Sequence, residues 1–448
     1  MIRALLTIGG VVALTYATRS FVPKGATITG SGAALAFGFL LIVAIQAAHV
    51  FEKLRMPHLT AYIVVGLLFG PEVLGIISAK MLPDLALVKG TAVGLIAFLA
   101  GCELNLRKLA PKMRAIGTVA LLSMIASAVV LFALMYAITF VLPIAKDFST
   151  WQRLVVALAC ANILAAFSPA VVIGLITETR AKGPLTEMTM SVVVIADLII
   201  VVTYAISSAL AHSAFPGSAQ GGLGLLVPHI FGSIVVGAIL GAILAVYARR
   251  VGTRSGMFTV AILFVAAEAG APLHLNPLLV GLAAGLFLEN VSPVGGDLLS
   301  HGAESVALPT FAIFFAVVGA EVHLRAFIAV APFAIVAALL RAGAIYAGTR
   351  AAARIVGLDA TLARRVSVGL LPQAGVAIAL AALMLSEHKP WGTVFGTVIL
   401  GTIVVNQLVA PVLFRNAIIA AGEAHGHDEP ETDAATPEPP AAPSHLHS

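Results

Sequence analysis

The chain has 448 residues, 60% of them hydrophobic and 10% charged, with a formal charge of +5. A soluble domain carries about 25% charged residues, so the composition excludes one. The two cysteines, Cys102 and Cys160, both fall in apolar stretches and imply no disulfide framework. The basic excess sits in loops, where membrane orientation demands it, and gives no ground for nucleic-acid binding.

A helix needs roughly 20 mostly apolar residues to cross the hydrocarbon. Fourteen such stretches can be drawn: 4–22, 32–51, 57–75, 86–104, 115–142, 152–178, 186–211, 224–248, 256–271, 276–290, 303–322, 326–356, 365–386 and 391–420. They are continuously apolar, whereas the strands of a membrane barrel alternate. The expectation is an all-α polytopic membrane protein. The first stretch lacks a small-residue cleavage site and a polar sequel, so 1–31 reads as an extra, uncleaved helix and its linker. Residues 32–420 then form the membrane domain, with the ninth and tenth stretches divided at Ala271-Pro272.

Loop charge sets the expected orientation. The side holding both termini carries 17 basic residues, the opposite side 8, and Arg341 lies inside the twelfth stretch. The positive-inside rule therefore places both termini in the cytoplasm. After about Ala421 the composition turns to Pro, Ala and acids, and 421–448 is expected to be a disordered cytoplasmic tail. Its histidines His425, His427, His445 and His447 read as tail residues in preference to a metal site.

An internal repeat runs through the membrane domain. The pattern G-x-E-x-x-L-R occurs at 101–107 and again at 319–325, about 218 residues later, and PHLTAYIVVGLLFG from Pro57 is echoed by PLLVGLAAGLFL from Pro277. The copies, about 57–211 and 276–420, start at the third and tenth stretches. An odd displacement turns the second copy upside down, the construction of many secondary transporters, whose ion sites lie where discontinuous helices meet.

The sixth stretch contains NILAAFSPAVVIGL, with Asn162, Ser168 and Pro169 at mid-membrane. Its counterpart, the thirteenth, contains GLLPQAGVAIAL, with Pro372 and Gln373. Proline removes an N–H and clashes with the preceding turn, so both helices should kink or unwind there. In the seventh stretch Asp197 stands about half-way along, flanked by eleven or more uncharged residues on each side. An ionised carboxylate at that depth costs at least ~2.5–3.5 kcal/mol. It can hold a proton or a stripped cation, but not both, which is what an antiporter requires. Arg341 is too deep to snorkel comfortably and must find a carboxylate, carbonyls or a wet cavity, in a structural or a transport role. Glu103 and Glu321 read as boundary anchors, each with an arginine four residues on; Glu268 is open. His49, His58, His274 and His301 fall near interfaces. No nucleophile–base or metal-ligand constellation suggests an enzyme, and no organic cofactor is expected.

These segments together resemble the monovalent cation:proton antiporter family, including its Kef-type and NapA-like branches, over roughly 40–415. The resemblance rests on MPHLTAYIVVGLLFGPEVLG, FLAGCELNLRKL, FSPAVVIGLITETRAKGPLTEM followed by VVVIADLIIV, LNPLLVGLAAGLFLEN, FFAVVGAEVHL and GLLPQAGVAIAL, in that order. It implies an NhaA-like fold with inverted repeats and two crossing discontinuous helices, in an inner membrane, as a homodimer whose core moves like an elevator. It implies exchange of Na+ or K+ for H+ at Asp197, with Ser168, Asn162 and Gln373 around the ion and Arg341, Pro169 and Pro372 in structural or charge-compensating roles. Ala196 departs from the family, in which that position is often Asp, Asn or Gln; one acid implies one cation per proton and electroneutral exchange. The acidic partner usual for the residue at Arg341 has no evident counterpart. Two other readings fit the sequence: a regulated potassium efflux system, and a non-transporting membrane sensor or scaffold.

Overall fold

In a computed structural model, the described residues are 8–10, 12, 31–54, 56–215, 223–251, 256–270, 273, 275–293, 297–322, 324–374, 376–378, 380, 381, 384, 388 and 391–425. The helices are α1 (Ser31–Lys53), α2 (His58–Phe69), α3 (Ala86–Glu103), α4 (Met113–Val141), α5 (Thr150–Ala165), α6 (Pro169–Thr179) and α7 (Pro184–Ala214). They continue with α8 (Leu223–Val251), α9 (Gly256–Gly270), α10 (Pro277–Asn290), α11 (Asp297–Ala320), α12 (Leu324–Val356), α13 (Ala360–Gly369) and α14 (Trp391–Ala421). Among the described residues eight helical spans are long and apolar enough to cross a membrane, and no strand occurs. The chain is a multi-pass membrane protein. Among the described residues each apolar stretch from the second onward carries helix, the sixth and thirteenth with a non-helical interruption. The first, 4–22, lies almost wholly outside the described residues, as do 426–448.

The two repeats exchange partners across their boundary. The first helix of each copy (α2, α10) packs on the second helix of the other (α11, α3), and the two third helices, α4 and α12, pack on each other. Apolar attraction between helices is weak in lipid, so close backbone approach through small residues takes over. The echoed glycines do this at both seams. A Cβ on Gly281 or Gly285 would overlap the backbone of α3 at Gly94 and Phe98; one on Gly66 or Gly319 would overlap the α2–α11 seam. The repeat seen in the sequence is therefore a repeat of helix seams.

Two details differ from the sequence reading. Residues 421–425, assigned to the tail by composition, are docked: Ala421 ends α14 and Glu423 is buried. Glu321 pairs with Lys89 of α3, its carboxylate oxygens 2.7 and 2.9 Å from Nζ; the side chain of the arginine four residues on lies outside what is described.

Candidate functional site

Proline decides where the two long apolar stretches break. α5 begins with a capping box, in which Ser149 Oγ accepts from Gln152 N and the Gln152 side chain accepts from Ser149 N. It stops at Ala165. Ala166 is extended (φ −61°, ψ 145°), and so is Ser168 (φ −132°, ψ 102°). Steric conflict with the Pro169 ring drives Ser168 out of the helical region, while Pro169 is well suited to the first position of α6, where an N–H has no helical partner. The Ser168 hydroxyl accepts from Val171 N at 3.4 Å and caps the new helix. In the second copy α13 stops at Gly369, residues 371–374 around Pro372 are non-helical, and 376–378 are helical again. Both stretches are broken, as Pro169 and Pro372 led us to expect.

Breaking a helix inside a membrane leaves carbonyls without partners, at a cost of several kcal/mol each. Arg341 on α12 meets them. Its side chain is fully buried. Nε donates to Leu164 O at 2.8 Å and Nη2 to Ala166 O at 2.8 Å, on the first break. Nη1 donates to Leu371 O at 2.7 Å and Nη2 also to Leu370 O at 3.3 Å, on the second. One guanidinium thus ties the C-terminal ends of α5 and α13 together, where each half-helix carries the negative end of its dipole. Gln373 joins the same junction: its Nε2 donates to Leu164 O at 2.8 Å, and its Oε1 accepts from Asn406 Nδ2 at 2.7 Å.

Asp197 sits at mid-length on α7 and is 2% exposed. It lines a cavity of about 10 Å³ with Pro169, Ala170 and Ile173 of α6, Val194 of α7, and apolar side chains of α3 and α10. That is room for about one water. Neither carboxyl oxygen has a hydrogen-bond partner among the described residues. The first turn of α6, the positive end of a half-helix, borders the cavity. An ionised, unpartnered carboxylate in such surroundings costs several kcal/mol. A proton or a small cation removes that cost.

The sequence-predicted residues therefore fall into two neighbouring groups. Asp197 and Pro169 share the cavity, while Arg341, Gln373 and the chain around Pro372 form the junction, with Ser168 between Ala166 of one group and Pro169 of the other. Asn162 is turned to α7 farther along: its Oδ1 accepts from Thr203 Oγ1 at 2.9 Å and its Nδ2 donates to Ser207 Oγ at 3.4 Å. Sequence reasoning missed Asn406, whose signal was a polar Asn-Gln pair within the apolar α14. It also missed Glu178, which accepts from His58 N at 2.9 Å and joins α6 to α2. Of the interfacial histidines, His274 and the side chain of His301 lie outside what is described. No group of three or more His, Cys, Asp or Glu that could hold a metal ion occurs among the described residues.

Residues 37–419 match the family model described as sodium/hydrogen exchanger, transmembrane. No curated protein matches. Among solved structures, one of the sodium proton antiporter MjNhaP1 from Methanocaldococcus jannaschii at pH 8 matches with a TM-score of 0.62 at 16% identity, covering 86% of this chain and 95% of that one. An electron-microscopy structure of the same antiporter gives a TM-score of 0.67 at 16% identity, covering 89% and 100%. At such identity the likeness establishes the fold alone, which is all-helical and of the type of that antiporter.

Proposed function

This chain belongs to the transmembrane sodium/hydrogen exchanger family, a family of transporters, and from that premise we propose that it exchanges Na+ or K+ for H+ by competition at Asp197. The observation that carries the reading is a buried carboxyl group with no partner among the described residues, beside the first turn of a broken helix. The cation would be stripped of water and held by the carboxylate, with oxygens of the unwound chain at 166–168 as its nearest further ligands. Arg341 already fills the carbonyl face of the junction with positive charge, so a second cation belongs on the Asp197 side of it. Ser168, Asn162 and Gln373 act by shaping the breaks and the α5–α7 contact.

Ala196 is buried and adds no charge next to the acid. One carboxylate then carries one cation in one direction or one proton in the other, and the exchange is electroneutral. With Asp197 shut from bulk water in this conformation, each half-cycle needs the core to move, as an elevator would, against a dimeric partner surface. Loop charge supports cytoplasmic termini and residence in an inner membrane. The ion pairs Lys89–Glu321 and Lys112–Glu187 agree with that assignment, since each joins helix ends placed on one side of the membrane.

The test is flux in liposomes under imposed Na+ or K+ gradients. Wild-type protein should acidify or alkalinise the lumen in response to either gradient direction. Asp197→Asn should be folded and inactive; an active Asp197→Asn removes the proposal. A scaffold would be silent in both.

A further inference from the structure

Just beyond α14 the chain folds back on the loop that joins α6 to α7. Lys182 N donates to Glu423 O at 3.0 Å, and His425 N donates to Thr179 O at 3.1 Å. The Glu423 side chain, 7% exposed, reaches under the loop: Oε1 accepts from Leu185 N at 2.7 Å and Oε2 from Thr186 N at 2.9 Å. These are amides of the first turn of α7, which have no partner within the helix.

α7 has no cap of its own. Its N-cap is Gly183, without a side chain, and its first residue is Pro184, without an N–H. A carboxylate from 238 residues away does the work of a local cap, with its charge at the positive end of the helix. The fit is close, because a Cβ on Gly183 would overlap the Glu423 carboxyl group.

The place of this clasp gives it consequence. α6 and α7 form a hairpin whose arms both reach the Asp197 cavity, through Pro169, Ala170 and Ile173 on one arm and Val194 and Asp197 on the other. Glu423 and His425 tie the arms at their base, the end of α6 to the start of α7. From Leu185 to Asp197 the helix rises about 18 Å, so a slide at the base passes up the rod to the carboxyl group. Misplacement of a reacting group by about 1 Å lowers a rate by roughly 100-fold.

We propose that Glu423 is a positioning residue for exchange, setting the axial and rotational placement of Asp197 against the break at 166–168. The inference rests on the reading of Asp197 as the exchange site. The test compares Glu423→Ala and Glu423→Gln in the full chain, by amide hydrogen exchange and by cation-dependent flux in liposomes. In Glu423→Ala the Leu185 and Thr186 amides should exchange at least tenfold faster, and the apparent KM for the cation should rise about tenfold. Glu423→Gln keeps only one of the two acceptors and sets an NH2 against the other amide, so it should protect one of the two amides and lie between wild type and Glu423→Ala in KM. If Glu423→Ala fails to fold, Gly183→Ala, which displaces the carboxyl group, should give the same pair of changes. Unchanged protection of the two amides overturns the clasp. Lost protection with an unchanged KM reduces Glu423 to a structural cap and overturns the positioning role. A wild-type protein without cation-dependent flux overturns the Asp197 reading and this inference with it, whereas normal flux in every variant overturns this inference alone.

Discussion

Arg341 has five N–H donors and no acceptor, so at mid-membrane it serves where carbonyls have been set free. Two broken helices free them, and the arginine meets both sets at once. Removing it should leave buried acceptors bare, at roughly 1–3 kcal/mol each. Arg341→Ala is therefore expected to lose the folded protein in detergent, or to lower its melting temperature sharply. Arg341→Lys, which keeps the charge but has three donors on a single nitrogen, should be intermediate; equal stability of all three proteins would contradict the junction. The sequence showed that this charge needed a partner, because its depth is legible from the flanking apolar residues. It did not show which, since backbone carbonyls carry no sequence signal. Of the three partners its depth allows, a carboxylate, carbonyls or a wet cavity, it takes main-chain carbonyls. Asn162 is the opposite case: its depth was legible, but its neighbours Thr203 and Ser207 lie on the far turns of α7, and only the packing of α5 on α7 reveals that.

Among the elements, the half-helices were the most legible, because proline chemistry is local. Pro169 and Pro372 fix the breaks, and the capping serine at 168 follows from its place before the first helical residue. Ser168→Ala should cost about 1 kcal/mol through the lost cap, read as a modest drop in melting temperature. The seams were legible as a repeat but not as contacts, since a G-x-x-x-G spacing does not name its partner helix. By the symmetry of the packing, Gly66→Leu and Gly281→Leu should be comparably damaging, each forcing a side chain into the backbone across a seam. Gly343 in α12 has open space where a Cβ would stand, so Gly343→Ala should be neutral or stabilise by up to ~1 kcal/mol. A thermal-stability series of the three variants in one detergent checks this, and equal effects at Gly343 and Gly281 would contradict the seam. The end of α14 was the least legible element. Composition turns polar after Ala421, and nothing local tells that Glu423 has distant amides to cap.

At the scale of the whole molecule, exchange at one buried acid, as proposed, would set both stoichiometry and mechanism. If a single carboxylate carries either ion in turn, a cation jump on a supported membrane should drive proton flux with no net charge displacement. A sustained current would require a second charge that Ala196 does not provide. The all-helical, multi-pass fold was visible in the sequence because its apolar stretches, its repeat and its proline breaks are all written locally. The Asp197 cavity was not, since it is formed by α3, α6, α7 and α10, which are far apart in the chain. The most direct test of competition at Asp197 is the apparent cation affinity of the purified protein as a function of pH. Affinity should fall as pH falls, approaching tenfold per unit once the acid is mostly protonated, with one proton released per cation bound and no such linkage in Asp197→Asn. Cation binding that is independent of pH, or that releases no proton, would contradict that competition.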